Sequence, residues 1–333
     1  MIQITPDLNF EPRVFSRILP LYNFFCKDWN GQNTTVSIPK GFITFFNNVF
    51  HKVYAGATAN INTTEPVLTT PVTLAGKKRV VVGYSSGFDS TFQALWHYFN
   101  GYDVTLLHFV DLNRCYPDEK LTAKFFAARY GMDLYTVELK HVGKDYFVDN
   151  PIKNQLVLSD LIDYAIQNNI GTIAMGSNVF DSIHDAHLQF GVSDSVELFQ
   201  EFMKGIAGCV IGLNLSLIDR KKVKCYEFVA KEYPEAFQYV NSCITPQRFK
   251  VTLNRRNGEK YGEQFLTQNR CMSCYKCAIE AILLDYIGFR TFGEPFLEHC
   301  YNVIRSKSES IYTKKIAHKL EANKSILTNL LSI

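Results

Sequence analysis

Val80, Val81 and Val82 form an unbroken β-branched run that stops at Gly83 and Tyr84. Beyond them Phe92, Leu95, Trp96 and Phe99 recur at helical spacing. The pattern predicts a strand over 80–83, a tight turn, and a helix over 90–100. The alternation continues. Val104, Leu106, Leu107 and Phe109 predict a strand over 103–109, followed by a helix over 119–130. A strand over 134–139 follows Gly131. Leu156, Leu158, Leu161, Ile162, Ala165 and Ile166 mark a helix over 155–168, and Gly171 opens a strand over 172–176. Strands separated by helices of this length predict an α/β fold, a doubly wound parallel sheet with helices on both faces. Ligands of such sheets bind beyond the carboxyl ends of the strands. Residues 83–90, 108–111 and 176–181 converge there.

The flanks read differently. Residues 1–55 are dense in aromatics, among them Phe10, Phe15, Tyr22, Trp29, Phe42 and Phe50. A helix over 13–27, and a helix or strand pair over 41–54, predict a packed module or an interface for a protein partner. Residues 55–76, rich in Thr, Asn, Ala and Pro, read as a linker or extended arm. The chain therefore divides into a module with linker (1–75), an α/β domain (76–240), a cysteine-rich subdomain (241–290) and a helical tail (291–333). In the tail, Ile311, Ile316, Leu320, Ile326, Leu327 and Leu330 predict a helix that packs on the core or forms a homodimer; packing is the expectation.

Length, charge and cysteine usage narrow the classes. The 333 residues suffice for one large or two smaller domains. A net charge of +3 is too small to argue for nucleic-acid binding, and no apolar run is long enough to cross a bilayer. Arg220, Lys221, Lys222 and Lys224 form one short basic cluster, read as a solvated helix face. Nine cysteines without a basic-then-apolar leader predict a reducing, cytoplasmic setting, with thiols or metal ligands rather than disulfides.

Two stretches carry chemistry. Residues 84–91 hold Tyr84, Ser85, Ser86, Gly87, Phe88, Asp89, Ser90 and Thr91 between strand and helix. Little side-chain bulk lets backbone N–H groups approach an anion, and the helix adds its positive end. Ser86, Ser90 and Thr91 can donate to phosphate oxygens, and Asp89 can hold a metal ion. His108 and Gly176 stand at neighbouring strand ends. Neither G-x-x-x-x-G-K-[ST] nor G-x-G-x-x-G is present. The alternative is an ordinary strand–helix turn with capping hydroxyls. Further along, Lys153 stands at a strand-to-helix corner, where it contacts a polyphosphate or is merely solvated. Asn178 and Asp181 read a polar heterocycle or close a turn. Cys271, Cys274 and Cys277 lie at x2 spacing, with Cys243 upstream. Four thiolates in this form suit structural zinc, with an iron–sulfur cluster as the competing occupant. The stretch 244–270 between them reads as a long polar loop with little core. Cys26, Cys115, Cys209, Cys225 and Cys300 are scattered and read as core or surface thiols.

Ser85, Gly87, Asp89 and Ser90 match the S-G-G-x-D-S loop of the ATP pyrophosphatases, with Ser86 in place of the middle glycine. The order of this loop, P-x-[RK]-N, G-x-N-x-x-D, a lysine-bearing helix and S-C…C-x2-C-x2-C resembles the 7-cyano-7-deazaguanine synthase family over roughly 79–285. The resemblance implies ATP-dependent conversion of a 7-carboxy-7-deazaguanine to an amide and then a nitrile, with ammonia as nitrogen source. It implies ATP, Mg²⁺ and Zn²⁺. Asp89, Lys153 and Lys222 would act on the phosphates. Asn178, Asp181 and Asp194 would face the substrate, and Cys243, Cys271, Cys274 and Cys277 would hold zinc. Ser195 and Val196 replace a Cys-Arg pair of the family, an insertion surrounds 255–258, and residues 1–75 have no counterpart. These departures leave the product open: an amide, a nitrile, or a conjugate of the kind made in phage and antiviral-defence pathways. Two other readings stand beside it: a catalytically weakened ATP-binding partner protein, and another adenylating enzyme such as a tRNA thiolase or amide ligase.

Overall fold

In the computed structural model the described residues are 2–6, 34–36, 61–63, 72–73, 78–111, 117–141, 153–176, 209–210, 212–214, 222–243, 245, 247–263 and 270–315. The chain forms two compact units that interleave along the sequence. One comprises Met1–Ser85, Gln93–Cys115 and Ala127–Asp219; the other comprises Ser86–Phe92, Tyr116–Phe126 and Arg220–Ile333.

The first unit is built on a six-stranded sheet of β1 (Ile2–Pro6), β2 (Arg79–Tyr84), β3 (Asp103–Asp111), β4 (Asp133–His141), β5 (Thr172–Met175) and β6 (Gly212–Asn214). The spatial order is β1-β4-β3-β2-β5-β6. Strands β2 to β6 run parallel. The chain steps outward from β2 to β3 to β4, then crosses back to lay β5 on the other side of β2. That reversal is the topological switch point, where doubly wound sheets open a crevice at their carboxyl ends. Tyr84–Ser85 and Met175–Gly176 stand at it.

The predicted sheet is thus present, and its helices follow in the expected places: α1 (Phe88–Phe99), α2 (Pro117–Tyr130) and α3 (Lys153–Gln167). Val80, Val81 and Val82 are all fully buried, because a central parallel strand is covered on both faces. Gly83 is required by packing. A Cβ there would lie 3.1 Å from Leu161 Cδ1 of α3.

The periodicity did not reveal β1 or β6. Ile2–Pro6 pairs antiparallel with β4, from Ile2 opposite His141 to Pro6 opposite Val137. Within the stretch read as a linker or arm, Ile61–Thr63 pairs with Thr34–Val36, and Val72–Thr73 with Cys209–Val210. The helices expected over 13–27 and 41–54 lie outside the described residues. No helix among the described residues is long and apolar enough to cross a membrane.

Buried acids on α3 make a testable point. Asp160 is fully buried, and neither of its carboxylate oxygens has a hydrogen-bond partner among the described residues. Burial, with the nearby Asp163 adding to it, pushes its pKa well above the usual carboxylate range. The folded chain therefore keeps a proton that the unfolded chain loses near pH ~3.9. Stability from this group falls as pH rises from there through the raised folded value. Asp160→Asn, which mimics the neutral acid, should raise Tm by a few degrees at pH 8 and by less at pH 4. A difference that does not vary with pH would contradict this account.

The second unit is mostly helical: α4 (Lys222–Glu232), a 3-10 turn (Pro234–Tyr239), α5 (Gln247–Tyr261), α6 (Tyr275–Tyr286) and α7 (Glu294–Lys315). Its aromatic core gathers around Phe88. The Phe88 ring stacks on Tyr226 with centroids 3.6 Å apart, and Phe237 lies parallel at 6.1 Å. Here the sequence expectation needs correction, because much of the supposed loop 244–270 is the helix α5. Its polar residues hid it. Asn254 Nδ2 donates to the Arg270 carbonyl and Asn257 Nδ2 to the Cys271 carbonyl, so this helix packs through amides as well as through Leu253, without a continuous apolar stripe. The tail helix begins at Glu294, within the expected tail, and residues 316–333 lie outside the described set.

Candidate functional site

Strand β2 ends at Tyr84, and α1 starts at Phe88. Between them Ser86 takes a left-handed backbone conformation, with φ of 59°. An L-residue pays about 1 kcal/mol or more for this, and glycine avoids the penalty. Serine stands where the resembled loop has glycine, so the fold must hold it there. Ser86 Oγ donates to the Glu119 carbonyl at 3.0 Å, and the Ser86 carbonyl accepts the Asn241 N–H at 2.6 Å. Ser86→Ala keeps the strain and loses the hydroxyl bond, so it should lower unfolding free energy by about 1–2 kcal/mol. Ser86→Gly loses the same bond but relieves the strain, and should lie between alanine and wild type. Urea unfolding gives the order; alanine as stable as glycine would refute it.

The remaining loop groups are laid out as follows. Ser85 is exposed, while Ser86, Ser90 and Thr91 are buried. Ser90 Oγ donates to the Gly87 carbonyl at 3.1 Å, and the Thr91 N–H bonds the same carbonyl at 3.0 Å, closing the first helical turn. The Phe88 N–H donates to Ser242 Oγ at 3.0 Å. Asp89, in the first turn of α1, meets Lys222, the first residue of α4, with Nζ 3.1 Å from Oδ1 and 3.3 Å from Oδ2. The basic cluster expected to be a solvated face is therefore split. Lys224 is exposed and pairs along its own helix with Glu227, whereas Lys222 is partly buried and turned to the acid.

In the first unit, His108 is fully buried on β3, and its Nδ1–H donates to the Tyr84 carbonyl at 2.8 Å. It secures the end of β2. Gln93 Nε2 donates to the Met175 carbonyl at 3.1 Å, tying α1 to the end of β5 beside Gly176. Lys153 is the first residue of α3, and its side chain is outside the described set. Asn178, Asp181 and Asp194 also lie outside the described residues.

The four cysteines come together. The sulfur atoms of Cys243, Cys271, Cys274 and Cys277 all lie within 4.8 Å of one another. Cys243 Sγ and Cys274 Sγ are 3.9 Å apart. Tetrahedral zinc with Zn–S of about 2.3 Å needs sulfur pairs about 3.8 Å apart, so the set can hold a metal ion. Hydrogen bonds from Cys243, Cys274 and Cys277 hold the Cys271 thiol far below its ordinary range. Its sulfur also receives Thr245 Oγ1 at 3.0 Å and the Cys274 N–H at 3.2 Å. Donors aimed at one sulfur favour a thiolate, the form that binds metal.

Several supporting residues were not singled out by their sequence. Asn241 and Ser242 bond the turn between β2 and α1 directly, and Lys250, almost fully buried, donates to Asn241 Oδ1 at 3.0 Å. Arg270 and Glu280 form a buried ion pair, and the Arg270 guanidinium also donates to the Phe237 carbonyl. Ser242 appeared only as the serine of the S-C motif, and for Asn241 and Arg270 the hint was adjacency to that motif and to Cys271.

No known family pattern matches the chain, and no curated protein matches it in sequence. Among solved structures it is similar to the NMN synthetase of Francisella tularensis, at 13% identity and a TM-score of 0.36 over 93% of this chain and 98% of that one. It is also similar to the U34-tRNA thiolase of Methanococcus maripaludis, solved with its 4Fe–4S cluster. There the identity is 15% and the TM-score 0.33 over 55% of this chain and 69% of that one. Both scores lie below 0.5, and the fold assignment stands on the strand order.

Proposed function

We propose that this chain uses ATP to adenylate the carboxylate of a small molecule, as a divergent relative of the 7-cyano-7-deazaguanine synthases. The carboxylate attacks the α-phosphorus, the bond to the β-phosphate bridge breaks, and pyrophosphate leaves. Ammonia or an amine then attacks the acyl carbon and AMP departs, leaving an amide. Where ammonia was the donor, the primary amide's oxygen attacks the α-phosphorus of a second ATP, pyrophosphate leaves, and departure of AMP with loss of the two N–H protons gives a nitrile. No protein nucleophile is needed. The observation that carries the reading is the tight turn after the central strand, with left-handed Ser86 at the family's glycine position and Asp89 paired to Lys222 at the start of α1.

Within that reading each group has a defined part. The Asp89 and Ser90 amides in the first turn of α1 and the Lys222 ammonium stabilise charge that develops on the phosphates. The Asp89 carboxylate is the group suited to Mg²⁺, which when bound neutralises the polyphosphate. Lys153 is the proposed second cation, and Asn178, Asp181 and Asp194 are proposed for the acceptor. The four thiolates hold zinc; their closeness favours a single ion, since a cluster would place several iron atoms between them.

The test is to incubate the zinc-loaded protein with ATP, Mg²⁺, ammonium and 7-carboxy-7-deazaguanine or related acids, and to follow AMP, pyrophosphate and product by mass spectrometry. AMP formed only with an acid present supports the reading. ATP bound but never cleaved with any acid would instead support a partner protein that binds nucleotide without turnover. The inward donation of the Ser86 and Ser90 hydroxyls favours that second reading.

A further inference from the structure

We propose that Asn241 and Ser242 are positioning residues through which the four-cysteine knuckle sets the shape of the phosphate turn. Three consecutive residues join the two. The Asn241 N–H holds the Ser86 carbonyl at 2.6 Å, Ser242 Oγ holds the Phe88 N–H at 3.0 Å, and Cys243 contributes a sulfur to the knuckle. A residue spans at most about 3.6 Å of chain, so a shift of Cys243 reaches the turn with little slack to absorb it.

The segment is also held from the side. Asn241 is almost fully buried, and its Oδ1 accepts from Lys250 of α5. The same helix grips the knuckle backbone, through Asn254 to the Arg270 carbonyl and Asn257 to the Cys271 carbonyl. The turn needs such support because Ser86 sits in a conformation that its own local chain disfavours. When the sulfurs are gathered by a metal, Asn241 and Ser242 are fixed and the turn keeps its two bonds. When the sulfurs disperse, the turn loses them. Metal binding and the order of the phosphate turn are therefore linked, and linkage of binding is reciprocal.

The experiment uses the full chain loaded with one zinc per molecule, and the variants Ser242→Ala, Ser242→Thr and Lys250→Met. Hydrogen exchange is read by mass spectrometry. Ser242→Ala should speed exchange at Phe88 and its neighbours in the turn by about five- to thirtyfold, with zinc content and exchange in α6 unchanged. Ser242→Thr, which keeps the hydroxyl, should restore protection, and Lys250→Met should loosen the turn in the same direction as alanine. Partial removal of zinc from the wild type should loosen turn and knuckle together. A turn that exchanges at the wild-type rate in both Ser242→Ala and Lys250→Met would overturn the proposal, as would α6 and the turn loosening equally in every zinc-loaded variant.

A second arm rests on the adenylation reading. ATP should slow zinc transfer from the wild type to a chromogenic chelator, and should lose that effect in Ser242→Ala. ATP that binds the wild type without slowing zinc transfer would count against the linkage. If ATP does not bind the wild type while the exchange results hold, the positioning role stands and the adenylation reading falls.

Discussion

Asp89→Asn is expected to reduce AMP formation by about a hundredfold or more while leaving the chain folded. The carboxylate sits in the first turn of α1, partly buried, with both oxygens facing Lys222. Replacing it with an amide of the same shape removes the charge that would hold Mg²⁺ and orient the lysine. Loss of one preorganised electrostatic group at a reacting phosphate carries an effect of that size. Stability should change by only about 1–2 kcal/mol, because one partly solvated ion pair is lost. AMP release by mass spectrometry, beside a thermal melt of the same sample, makes the check. Wild-type AMP release in a folded Asp89→Asn protein would end the assignment of this turn as the phosphate site.

The largest stability effect is expected at Glu280. Arg270 and Glu280 are 0% and 1% exposed, and the guanidinium also donates to the Phe237 carbonyl at 3.2 Å. Glu280→Ala leaves a buried cation without its counter-charge and should lower unfolding free energy by about 3–5 kcal/mol. The pair as a whole is a different matter. Arg270→Met with Glu280→Leu replaces two desolvated charges by apolar volume and should recover most of the loss. Denaturant unfolding of Arg270→Met, Glu280→Leu and the double variant isolates the coupling. A single variant that costs under about 1 kcal/mol, or a double variant as unstable as the single, would show that this pair does not behave as a buried one. Arg270 borders Cys271 and reaches Phe237, whose ring lies parallel to Phe88. A folded Glu280→Ala protein should therefore also show faster exchange in the turn between β2 and α1.

The parallel sheet was readable in the chain because its strands are buried on both faces. Val80–Val82, Leu106–Leu107 and Ile173–Ala174 have to be apolar, whatever surrounds them. Helices α1 and α3 show a 3.6-residue pattern for a related reason, since one side must cover that sheet, whereas α2 leaves Leu121 and Phe125 exposed. The Cys271, Cys274 and Cys277 spacing was readable because an ion imposes it locally. By contrast β1, β6 and α5 escaped notice. Among the described residues β1 and β6 are sheet-edge strands with one neighbour each, and α5 is held by amide side chains reaching the knuckle backbone. None of these needs a long apolar stripe.

What the sequence determined by itself was the succession of strands and helices, the place of the turn after the first core strand, and the four thiols able to share one ion. Local periodicity and spacing are enough for those. Only the tertiary structure decided that Ser86 takes a glycine-like conformation, that Lys222 leaves its basic cluster to face Asp89, and that Asn241 and Ser242 tie the turn to the cysteines. Those outcomes depend on contacts across 133 to 155 positions of chain, the separation of Asp89 from Lys222 and of Ser86 from Asn241. No local pattern records a partner that far away, because each residue's own neighbours leave its side chain several directions, and packing selects among them.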